Sequence, residues 1–168
     1  MITSAYKKRP TPDSSDLVKL FDKIIQWRSG KYIHEELLFS DGWAFSSRET
    51  GPAFVREETI DFHPDFWDFV RIDCSASQEA LVRHQAQNIV DGGFTGVKPV
   101  YGWGKDLLGF APVPIMAQLP HQYFCSESCC IAKQTLGFYL GYCIEGLSPW
   151  KSYQLTVNEL PMWLKAQK

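Results

Sequence analysis

At 168 residues, with 45% apolar and 14% aromatic side chains, the chain can bury one sizeable core, which argues against a disordered segment. Its net charge of −2, from 17 basic and 19 acidic residues, comes with no basic run beyond Lys7-Lys8-Arg9, so a nucleic-acid surface has no support. No apolar stretch approaches the roughly 20 residues that span a bilayer, and MITSAYKKRPTPDSSD lacks an apolar signal core, so a cytoplasmic chain with reduced cysteines is expected.

Residues 1–12 are polar with two prolines and read as a flexible N-terminal arm, leaving 13–168 as a single domain. Ser14 or Ser15 can cap a first helix, in which Leu17, Leu20, Phe21 and Ile24 form one apolar stripe and Gly30 is the stop. KYIHEELLFSDGWAFSSRE then reads as a hairpin, because two β-compatible runs flank Ser40-Asp41-Gly42 and Gly42 tolerates positive φ. A three-residue loop sets Glu36 opposite Ser46 and puts His34, Glu36, Ser46 and Arg48 on one face. A two-residue loop would instead set His34 opposite Glu49. The longer loop is preferred, since it gathers Leu37, Phe39, Trp43 and Phe45 on the core side.

Residues 52–56 and 68–73 read as further strands. Ser75 with Gln78 forms a capping box before a helix striped by Val82, Ala86 and Ile89 or Val90. A short helix is expected over 103–109, another from Cys125 to about Tyr139, and a last one from Thr156 with Glu159 at its third position. GWGKDLLG lacks phosphate-loop spacing and no dinucleotide fingerprint occurs, so no cofactor is expected.

Chemistry concentrates at Cys125, Cys129 and Cys130. Structural zinc wants about four ligands in spaced pairs, and no second cysteine pair exists here, so metal is not expected. Cys129 and Cys130 sit in an apolar helix and read as packing residues. Cys125 precedes the first turn, where unpartnered N–H groups and the helix dipole stabilise a thiolate. A thiolate nucleophile wants an imidazole partner. His63 lies in a loop, His84 on a polar helix face and His121 in the turn before Cys125, whereas His34 is held on a strand.

YIHEELLFSDGWAFSSRE, then VYGWGKDLLGF, then YFCSESC, in that order, resembles the circularly permuted branch of the papain-like, NlpC-type cysteine hydrolases, which includes lecithin retinol acyltransferase-like enzymes. The likeness covers roughly residues 25–142, with LSPWKSYQLTVNEL similar to the family's closing segment. It implies an α+β, permuted papain-like fold with a small antiparallel sheet packed on helices. It implies catalysis by Cys125 with His34, with Ser46 as the third, orienting residue and Glu36 or Glu49 as alternatives. Tyr101 and Trp103 would line the substrate cleft. The implied function is acyl transfer through a thioester, by an amidase or peptidase on cell-wall peptides or by an acyltransferase on another acyl substrate. The rival expectation is a catalytically weak or inactive interaction or assembly protein, such as a component of a phage particle, with a partner protein in place of a substrate.

Overall fold

A computed structural model describes residues 1–48, 51–92, 97, 99–101, 122–144 and 147–166. It is an α+β fold: a five-stranded antiparallel sheet and, among the described residues, four α-helices. The sheet strands are β1 (Ile2–Lys7), β2 (His34–Phe39), β3 (Trp43–Arg48), β4 (Gly51–Arg56) and β5 (Trp67–Ile72), in the spatial order β4-β3-β2-β1-β5. The helices are α1 (Asp16–Ser29), α2 (Ala76–Val90), α3 (Cys125–Gln134) and α4 (Pro149–Ala166). Two short parallel strands, β6 (Val100–Tyr101) and β7 (Gln122–Tyr123), pair just ahead of α3.

The N-terminus corrects the sequence expectation. Residues 2–7 are no arm but the strand between β2 and β5. Every residue from Ile2 to Lys7 pairs on both sides, Ile2 with Phe39 and Ile72, Tyr6 with Glu35 and Asp68. Ile2, Ser4 and Tyr6 share one sheet face and are buried. The polar Thr3 and Ser4 hid this strand, because a central strand is held by neighbours rather than by its own hydrophobicity.

The hairpin follows the three-residue loop. Leu37 faces Phe45, Leu38 faces Ala44, and Gly42 turns with φ 78°. One face of the sheet carries Ile2, Leu37, Phe39, Phe45 and Ile72 into the core. Helices α2 and α3 cover that face with Val82, Ala86, Ile89, Cys129, Cys130 and Ala132, and α4 adds Leu155. Burying each of the larger apolar side chains contributes about 1.5–3 kcal/mol.

Helix α2 starts at the capping box: Ser75 Oγ accepts from the Gln78 N–H at 3.1 Å while Gln78 Oε1 accepts from the Ser75 N–H at 2.8 Å. Ser75→Ala is therefore expected to cost about 1 kcal/mol of unfolding free energy in urea titrations, and an unchanged midpoint would contradict this account of the helix start. Two helix bounds differ from expectation. Helix α3 stops at Gln134, before Gly137 takes a φ of 87°. Helix α4 begins at Pro149, not at Thr156, with the Ser148 hydroxyl accepting from the Lys151 N–H at 3.3 Å. Proline at the first helical position fits, since its missing N–H would have had no intrahelical partner.

Candidate functional site

Strand alternation divides the expected catalytic residues. Along β2, Glu35, Leu37 and Phe39 point to the face under α3, and His34, Glu36 and Leu38 point to the opposite face. The ring of His34 lies edge-on to Trp67, its neighbour on that far face, with centroids 6.4 Å apart. Its Nε2 sits 2.9 Å from Glu36 Oε1. A carboxylate only accepts, so Nε2 carries the proton. Arg48 Nη2 donates to the same oxygen at 2.6 Å, closing a His34–Glu36–Arg48 cluster across β2 and β3. Glu36 is fully buried, and its Oε2 has no hydrogen-bond partner among the described residues. Near the cluster, burial raises the Asp22 carboxyl above its usual range, against the pull of Lys7 and His34.

Ser46 does not orient the imidazole. Its hydroxyl donates to the Glu35 carbonyl at 2.6 Å, and Glu36 takes the orienting place. The reason is positional: two residues apart on one strand share a face, so Glu36 reaches His34 directly while the Ser46 hydroxyl is used in bridging the strands. Glu49 lies outside the described residues.

Cys125 opens α3, as its sequence position implies. Phe124 is the cap residue and supplies no side-chain cap. The thiol-bearing residue is 2% exposed, and the whole first turn from Cys125 to Ser128 is buried. Ser128 Oγ donates to the Cys125 carbonyl at 2.9 Å, and Ser126 Oγ donates to the Leu147 carbonyl. Burial, helped by Glu127, raises the Tyr123 phenol nearby. Helix α3 packs on β2 and β3 from the face opposite the one to which His34 points. The β6–β7 ladder sets the Tyr101 backbone opposite Tyr123, two residues ahead of Cys125. Trp103 and His121 lie outside the described residues.

Polar chemistry on the core face belongs to residues that sequence reasoning passed over. Lys133 Nζ, fully buried, donates to Glu35 Oε1 at 2.6 Å, Thr156 Oγ1 at 3.2 Å, and Ser4 Oγ and Tyr6 OH at 3.3 Å. The ammonium also lies 5.0 Å from the ring centre of Tyr139, whose hydroxyl hydrogen-bonds Thr156. Burial alone would lower the Lys133 pKa, but Glu35 first, then the two tyrosines, hold it well above the usual lysine range. A lysine in mid-helix one turn past Cys129 looks solvent-facing in sequence; its only signal was the apolar run from Cys129 to Ala132 just before it.

Cys129 and Cys130 are packing residues. Cys129 Sγ rests 3.6 Å from the Phe45 carbonyl, and Cys130 Sγ lies 3.2 Å from Ser152 Oγ. Burial raises both thiols, with Glu35 adding to it and Lys133 opposing it; that of Cys130 is pushed up to about 12. Among the described residues no group of His, Cys, Asp and Glu is arranged to hold a metal ion, and no helix is long and apolar enough to cross a membrane. Comparison with family models, with curated proteins and with solved structures finds no match to this chain.

Proposed function

We propose that this chain is a permuted papain-like interaction protein, keeping the frame of an acyl-transfer enzyme with little or no acyl-transfer chemistry. Support for the frame is the order of parts: a hairpin bearing His34 comes first, and a later helix opened by Cys125 lies against that hairpin. The observation that carries the loss of chemistry is the direction of His34. Its imidazole hydrogen-bonds Glu36 on the far side of the sheet from α3. A base must reach the proton it removes within roughly 2.6–3.2 Å, and His34 is turned to the face of β2 that α3 does not cover.

Acyl transfer at Cys125 is the second reading, favoured by the lack of a side-chain cap at the start of α3. First-turn N–H groups there can receive an oxyanion. Water as acceptor would give an amidase or peptidase acting on cell-wall peptides, and another acceptor an acyltransferase. Iodoacetamide labelling followed by peptide mass mapping separates the readings. On the interaction reading, Cys125 labels no faster at pH 6.5 than an ordinary thiol of pKa about 8.5, and His34→Ala leaves its pH profile in place. Rapid labelling below about pH 7 that slows in His34→Ala would overturn it in favour of the enzyme.

A further inference from the structure

Strand β5 closes one side of the sheet with an open edge. At its start the Lys8 N–H donates to the Phe66 carbonyl at 2.7 Å. Backbone direction alternates along an antiparallel ladder, so Asp68, Val70 and Ile72 turn their polar groups to β1, and Trp67, Phe69 and Arg71 turn theirs outward. The Trp67 N–H donates to the His63 carbonyl, but among the described residues no backbone group pairs with the outward side of Phe69 or Arg71. Their side chains share one sheet face and reach solvent: Phe69 is 44% exposed and the Arg71 side chain 66%. The other edge is guarded, since β4 carries Pro52 and lies beside β6 and β7. WDFVRI in β5 has no proline or lysine, and its register against β1 runs without a bulge. Its inward-pointing charge, Asp68, is answered by Lys8, Lys31 and the Tyr32 hydroxyl.

We propose that this edge pairs with the same edge of a second copy, antiparallel, across a two-fold axis at Val70. Opposed side chains share a sheet face, so a two-fold axis through the sheet must fall on a residue. Centring on Arg71 sets like charges against each other. Centring on Phe69 calls on the Trp67 N–H, which the His63 carbonyl already holds. Centring on Val70 uses what is free. Phe69 of each copy then opposes Arg71 of the other, and each such pair exchanges both of its backbone hydrogen bonds. Each guanidinium comes to lie against a phenyl ring, a favourable cation–π pair. Asp73 accepts from Arg71 Nε at 2.7 Å, which holds that side chain along the face where Phe69 stands. This self-complementarity selects the occupant: ring and cation stand two positions apart on one strand, the spacing that two-fold pairing requires.

Sedimentation equilibrium of the intact chain from about 5 μM to about 1 mM tests this. A weak dimer is expected, because pairing along one strand buries less than the about 1,600 Å² of a standard interface. Amide exchange of the unaltered chain supplies a signature that depends on no variant. The N–H groups of Phe69 and Arg71 should gain protection as concentration rises, while those of Asp68 and Val70 are protected throughout by β1. Phe69→Lys opposes a lysine to Arg71 twice and should weaken the dimer at least about tenfold with an unchanged circular dichroism spectrum. Adding Arg71→Glu to Phe69→Lys should restore it, since each opposed pair then carries opposite charges. A dimer indifferent to Phe69→Lys, no recovery in the double variant, or protection that rises elsewhere than at Phe69 and Arg71 overturns the proposal. So does a monomer persisting to about 1 mM, which leaves the edge to a strand of another protein. None of these measurements reads Cys125 reactivity, so the pairing and the interaction reading fail separately.

Discussion

Lys133→Met is expected to lower the unfolding free energy by about 3–5 kcal/mol, the largest effect of any single substitution considered for this fold. The substitution keeps the length and packing of the aliphatic stem and removes only the ammonium. It leaves Glu35 fully buried at the centre of the sheet without the cation that Lys133 supplies, and among the described residues one of its oxygens already lacks a partner. A carboxylate stranded in low dielectric is far costlier than the ion pair was beneficial. The double variant Glu35→Leu with Lys133→Met is therefore expected to recover most of the loss, since the burial penalty disappears with the charge. Urea unfolding of the three proteins measures both. A single variant within about 1 kcal/mol of the parent would show that the pair is not desolvated as its geometry implies.

Alkaline pH is the second strong lever. Tyr6, Tyr139, Cys129 and Cys130 are all raised, with burial the leading cause for each. The folded chain holds these protons more tightly than the unfolded chain, so above the unfolded values deprotonation pulls toward unfolding. For Cys130 the contribution is intact below its ordinary 9.0 and drains away as pH climbs toward about 12. Each such group then costs about 1.4 kcal/mol per pH unit. Lys133 acts with the same sign: its raised value stabilises the fold below the ordinary 10.5, and that stability is lost as pH climbs above it. Against a total stability of about 5–15 kcal/mol, several groups acting together are expected to unfold the chain before pH 12. Far-ultraviolet circular dichroism across a pH titration tests this, and a native spectrum persisting at pH 12 would refute it.

Much of the local structure was legible from neighbouring residues alone. The hairpin register, the Ser75–Gln78 box and the opening of α3 at Cys125 all depend on interactions a few positions apart. Local rules reach that far: turn conformation sets strand pairing, and a cap side chain finds the N–H three residues on. Strand β1 was not legible, because its stability comes from β2 and β5 on either side. The sidedness of α1, whose Leu17 and Leu20 are exposed, was not legible for a related reason. An apolar stripe shows that a helix has a sticky side, but not whether its own domain or another molecule covers it.

The sequence by itself therefore determined the kinds of element, the loop that registers the hairpin, and the place of Cys125 at a helix mouth. It also determined that His34 and Glu36 share a sheet face, since side chains two apart on a strand must do so. Only the tertiary structure decided which face α3 would cover, and with it that His34 points away from α3 while Glu35 meets Lys133. A strand with one acidic residue directed to each side can be packed from either. The choice is made by the combined burial of Leu37, Phe39 and Phe45 against helices far along the chain, a sum over the whole core that no local pattern contains.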